Sequence, residues 1–174
     1  MLVMNLLRLA SLSVLASLSG CIPVWYTQYQ LTSSDGTPAR SNDTSYSTVN
    51  YRAPGDADLE LMVETGRRTG MLVLFHATVP ATLKPSIASR ELELSDCAPN
   101  PAGPLKIERV LEDAPHDGKI FFQWYVDIPG APSSCTFKAP AFVYGDQRWM
   151  APSIRAERGT STPRMLDLTR LPTH

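Results

Sequence analysis

A chain of 174 residues, 43% of them hydrophobic, is long enough to bury a core of its own. With 16 Lys+Arg against 17 Asp+Glu its formal net charge is −1, which argues against nucleic acid, since phosphate binding needs a net-positive stripe, and against electrostatic attachment to anionic lipid. Its 15 prolines and 10 glycines, set among short apolar runs, favour strands and turns over long helices.

Residues 1–20 carry one charged side chain, Arg8, before an apolar stretch from Leu9 to Leu18. About ten apolar residues are too few to span a hydrocarbon core, which needs about 20. The segment therefore has the anatomy of a secretory signal. Met4 is an alternative start to Met1, because Met4-Asn5-Leu6-Leu7-Arg8 is the more ordinary opening. The segment ends in Leu18-Ser19-Gly20-Cys21, which resembles, position for position, the lipobox of bacterial lipoproteins cut by the lipoprotein signal peptidase. The resemblance covers residues 1–21 and extends to no family for residues 22–174. It implies that residues 1–20 are a cleaved signal peptide and that the Cys21 thiol receives diacylglycerol. It also implies that the new amine takes a further acyl chain such as palmitate. More than one chain is what stable anchoring requires, because a single acyl chain holds a membrane only marginally. Ile22 stands where an aspartate would resemble an inner-membrane retention signal. The resemblance thus implies a lipid anchor in the outer membrane, facing the periplasm.

Beyond the anchor the pattern predicts a first strand over Val24–Leu31. Residues 32–57 are rich in turn formers and read as a flexible loop, interrupted at most by a short strand at Tyr46–Tyr51. Asp58–Thr65 alternates Leu59, Leu61 and Val63 against Glu60 and Glu64. Met71–Val79 is apolar on both faces, as a central strand would be. Between them Gly66 and Gly70 flank Arg67 and Arg68 at a hairpin tip, where two cations meet solvent or a partner. Further strands are predicted at Ser89–Ser95, Leu105–Leu111, Lys119–Ile128, Ala141–Tyr144 and Ser153–Glu157, and Met165–Thr169 reads as a strand or a helical turn. In Lys119–Ile128 the even positions from Ile120 to Ile128 form one face, and Phe121, Gln123, Tyr125 and Asp127 the other. Spacing of about 8–12 residues between about seven to nine short strands reads as an all-β fold, a single antiparallel β-sandwich or barrel-like domain over residues 21–174.

If Cys21 carries lipid, Cys97 and Cys135 remain, and an exported domain favours a disulfide between them. It would close a loop of about forty residues, for which chain entropy gives roughly 3–4 kcal/mol. Both cysteines lie in turn-like surroundings rich in Pro, Ser and Asn.

No motif for catalysis is found: neither Gly-x-Ser-x-Gly, nor Ser-x-x-Lys, nor His-Glu-x-x-His, nor a glycine-rich phosphate loop occurs. No cofactor or metal is expected. His76 lies mid-strand and is read as a partly buried histidine rather than a base, and neither a pair of carboxylates nor a His–carboxylate pair is expected to converge in a deep pocket. Phe121 and Tyr125, on the face opposite the core positions, are either under a covering loop or part of a binding surface. Trp149 beside Arg148 has the composition of an interface anchor, or else plugs the end of the sandwich. The expected function is not enzymatic. It is a membrane-anchored module that binds an envelope protein, as an accessory of a secretion or envelope complex or as an immunity protein. The alternatives are an inhibitor of, or enzyme on, cell-wall material, or a carrier of an apolar ligand in an unfilled cavity.

Overall fold

The computed structural model describes residues 21–26, 28–41, 46–64, 70–99, 103–159 and 162–167, the first and last of these by backbone alone. The regular elements are strands throughout: β1 (Cys21–Tyr26), β2 (Tyr29–Ser33), β3 (Ala39–Ser41), β4 (Tyr46–Ala53), β5 (Ala57–Glu64), β6 (Gly70–Pro80), β7 (Pro85–Ile87) and β8 (Glu91–Ala98). They continue as β9 (Leu105–Lys106), β10 (Arg109–Glu112), β11 (Lys119–Pro129), β12 (Ser134–Lys138), β13 (Phe142–Tyr144), β14 (Gln147–Trp149), β15 (Ser153–Arg158) and β16 (Thr162–Asp167). The chain divides into two compact units. In one, β1 and β16 pair antiparallel, with Cys21 opposite Asp167 and Tyr26 opposite Thr162. The lipobox residues Leu18, Ser19 and Gly20, the Cys21 side chain, and Arg67 and Arg68 lie outside what the structure describes.

The second unit, residues 27–160, is the sandwich. One sheet has six strands in the order β10-β11-β6-β5-β4-β3, another five in the order β2-β15-β12-β8-β9, and a third three in the order β14-β13-β7. Among the described residues all pairings are antiparallel, and no sheet closes into a barrel. Long strands of alternating polarity supply the six-stranded sheet. In β5 the buried positions are Ala57, Leu59, Leu61 and Val63, and in β11 they are Ile120, Phe122, Trp124, Val126 and Ile128. Period-two burial of this kind puts one face on the core. β6, apolar on both sides, is indeed central, between β11 and β5.

The inner faces of the three sheets share one core. Phe75 of β6 stacks on Trp124 with ring centroids 5.5 Å apart. Phe142 of β13 reaches Phe75 at 5.2 Å and Phe122 at 5.3 Å. Leu92, Phe137 and Ile154 complete the core from the five-stranded sheet. Buried polar links tie β2 to β4: Ser47 Oγ donates to the Tyr29 carbonyl at 2.5 Å, and Ser33 Oγ meets the Tyr51 hydroxyl at 3.0 Å.

Local chemistry sets the tight turns. Asp117 and Gly118 both have positive φ, 49° and 73°, and His116 pairs with Lys119 across them. Asp-Gly is the pair a two-residue hairpin of this hand prefers, because Gly adopts positive φ at no steric cost and Asp tolerates it.

Several sequence expectations need correction. The stretch over 32–57 holds β3 besides the short strand expected at Tyr46–Tyr51, which runs on to Ala53 as β4 and turns Ser47, Val49 and Tyr51 to the core. The strand expected over Val24–Leu31 is two strands, β1 and β2, which belong to different units. The strand expected over Leu105–Leu111 is also two, β9 and β10, one in each large sheet. Ile107 is fully buried at that crossover. The turn-like surroundings of Cys135 are β12, and β7 and β14 fall in stretches for which no strand was predicted. Among the described residues the strands number sixteen, against the seven to nine expected.

Cys97 and Cys135 form the disulfide, across a sequence separation of 38. It joins neighbouring strands. β8 and β12 pair Ala98 with Ser134 and Ser95 with Thr136, so two residues of β8 stand opposite Cys135 alone. Asp96, with φ 50°, is the first residue of that bulge, which brings Cys97 to its partner.

Candidate functional site

The outer faces of the two large sheets differ in character. On the five-stranded sheet the outward positions are Gln30 and Thr32, then Ser153, Arg155 and Glu157, then Ser134, Thr136 and Lys138, then Glu91, Glu93 and Ser95. That face is polar throughout, as a solvated face should be. On the six-stranded sheet the outward positions include Met62, Leu72, Leu74, Leu111, Phe121 and Tyr125. Register sets them side by side: Met62 lies opposite Leu74 and Leu74 opposite Tyr125, so one row crosses three strands. Tyr125 is 36% exposed, while Leu72 is only 4% exposed.

Next to this apolar row lies a concavity of about 470 Å³. Its lining is Arg40 from β3, Asn50, Tyr51 and Arg52 from β4, Asp58, Leu59 and Glu60 from β5, His76 and Thr78 from β6, and Phe121 from β11. The strand period explains the grouping. Asn50, Glu60, His76 and Gln123 form one cross-strand row, and Arg52, Asp58, Thr78 and Phe121 form the next. Cations thus stand over β3 and β4, carboxylates over β5, and an aromatic wall over β11.

His76 Nδ1 lies 3.7 Å from Glu60 Oε2, with the two side chains 23% and 33% exposed. A His–carboxylate pair therefore does converge, contrary to the sequence expectation, because β5 and β6 place the two residues directly opposite each other. The distance is that of an ion pair, beyond hydrogen-bond length. Burial holds the His76 pKa below its ordinary value, and the facing Glu60 carboxylate opposes that shift in part. The His76 and Phe121 rings are 5.2 Å apart. Among the described residues Arg40, Arg52 and Asp58 form no ion pair or hydrogen bond through their side chains. No group of three His, Cys, Asp or Glu side chains able to hold a metal ion occurs among the described residues.

Of the residues singled out in the sequence, Phe121 and Tyr125 lie on this outer face. Trp149 does not. Its ring packs 5.2 Å from Tyr51 and 6.1 Å from Phe75, so it serves the core and plugs the sandwich. Arg148 beside it is exposed on β14. Sequence reading missed Arg40, Arg52 and Asp58, which come together only through the pairing of β3, β4 and β5. Compared with models of protein families, with curated protein sequences and with solved structures, the chain matches none.

Proposed function

We propose that the protein is a lipid-anchored binding module of the cell envelope, tethered through Cys21, whose outer six-stranded face docks a protein partner at the membrane. The observation that carries this reading is the contrast between the two outer faces. One is polar, whereas the other sets Met62, Leu74 and Tyr125 in a row. Apolar side chains aligned on an outer face mark an interaction site. An anchor confines the search for partners to two dimensions and raises the effective concentration of neighbours there. An accessory of a secretion or envelope complex and an immunity protein against an envelope-directed toxin both fit this mode of action.

A photo-crosslinking residue at Tyr125 tests the docking face, with one at Thr136 on the polar sheet as the control. A discrete protein adduct from position 125 and none from 136 is expected. Equal adducts, or none from 125, would sink the assignment. The anchor has its own test. Intact-mass measurement of the mature protein should show diacylglycerol on Cys21, and Cys21→Ser should release the chain from membranes.

A second reading, catalysis on cell-wall material, draws on the His76–Glu60 pair. It requires that purified wall release soluble fragments with the wild-type protein and not with Glu60→Gln.

A further inference from the structure

We infer that the concavity over β3, β4, β5, β6 and β11 is a binding site for a short zwitterionic peptide. Arg40 and Arg52 take its carboxylate, Asp58 and Glu60 its ammonium, and Phe121 one apolar side chain. This goes beyond the docking reading and stands independently of it.

The charge pattern selects the ligand class. Two guanidinium groups and two carboxylates line one concavity. A phosphate would meet Asp58 and Glu60, and a polycation would meet Arg40 and Arg52. Like charges brought together in a site are a means of rejecting the wrong ligand. A ligand with both signs at opposite ends satisfies all four groups. Arg40, Arg52 and Asp58 are available for this, since none spends its charge on a partner among the described residues. Glu60 faces His76 through Oε2, and its second carboxylate oxygen is not part of that contact.

The spacing selects the length. Arg52 stands opposite Asp58 across adjacent strands and two residues along from Glu60, while Arg40, opposite Thr48, is one strand further out and four residues along. Strands about 4.8 Å apart, with about 3.4 Å per residue along each, put the Arg52 backbone about 5–8 Å from those of Asp58 and Glu60. Two or three extended residues, at about 3.5 Å each, bridge that distance, whereas the charges of a single amino acid sit too close together. The volume of about 470 Å³ suits a molecule of this size. Phe121, across the site from the arginines, offers a ring face for an apolar side chain.

Titration of the full chain with alanylphenylalanine, followed by amide NMR, tests the inference. Shift changes confined to β3, β4, β5, β6 and β11 are expected. Blocking either the amine by acetylation or the carboxylate by amidation should weaken binding about tenfold, the loss of one charge-assisted contact. Arg52→Ala should erase the preference for the free carboxylate, and Glu60→Gln the preference for the free amine. Should either variant lose its dispersed spectrum, the blocked peptides decide alone. No shift at millimolar peptide, or equal binding of free and blocked forms, would overturn the site. So would charges that serve the protein adduct at Tyr125 while the peptide is ignored.

Discussion

His76 and Trp124 show how one position can hold two kinds of tension. Burial lowers the His76 pKa while Glu60 draws it back toward the charged form. The other groups facing it are Asp58 of β5 and Phe121 and Gln123 of β11. Its folded pKa lies below the unfolded value, so the unfolded chain binds more protons as pH falls through that unfolded value. Stability from this residue is complete above the ordinary histidine range. It declines as pH drops through that range to the depressed folded pKa. The urea midpoint should therefore fall between pH 7.5 and pH 5.5, and His76→Asn should flatten that part of the profile. Asp35 works in the opposite chemical sense. Hydrogen bonds from the Ser33 hydroxyl and the Thr37 amide hold its carboxyl below the ordinary range. Its contribution is present above the unfolded carboxylate pKa and is lost as pH falls through the folded one, so Asp35→Asn should reduce acid sensitivity. Trp124 carries a buried indole N–H that lacks a hydrogen-bond partner among the described residues. An unsatisfied buried donor costs about 1–3 kcal/mol. Trp124→Phe removes that cost and leaves a small void, and should change stability by less than about 2 kcal/mol. Trp124→Ala should cost about 3–5 kcal/mol. Paired urea melts check both.

Among the elements, legibility followed length and alternation. β5, β6 and β11 are long and patterned, and neither end of any of them differs from the predicted one by more than one residue. β4 was read over Tyr46–Tyr51 and runs two residues further, to Ala53. Ser47 is buried because the Tyr29 carbonyl of β2 accepts its hydrogen bond, a partner that local sequence cannot reveal. β9 and β10 read as one strand because Leu105, Ile107 and Leu111 are all apolar, yet Ile107 turns the chain from one sheet to the other. The disulfide belongs to this scale as well. It staples β8 to β12 across a bulge and spans 38 residues. Its loss should lower stability by roughly 3–4 kcal/mol on the chain-entropy model. Comparing denaturant midpoints of the wild type and a Cys97→Ser, Cys135→Ser double variant measures it. A loss under about 1 kcal/mol would mean that the bulge holds these strands without help.

For the whole molecule, the central question is why one outer face differs from the other. The proposed answer, docking on the six-stranded face, predicts that Leu74→Asp weakens partner capture without unfolding the chain, because Leu74 points away from the core. Thr136→Asp on the polar sheet should leave capture unchanged, and quantitative crosslinking separates the two. By itself the sequence determined the all-β class, the central place of β6, the pairing of Cys97 with Cys135 and the alternation of β11. Each of these follows from composition, local periodicity or the parity of the cysteines. The lipobox reading also comes from sequence alone. Only the tertiary structure decided which strands share a sheet, and hence which outward side chains become neighbours. Arg40, Arg52, Asp58, His76 and Phe121 are dispersed along the chain and meet because β3, β4, β5, β6 and β11 align. Alternation says which face a residue joins, but register between distant strands says beside whom it stands. That register is set by long-range packing, which no local window contains.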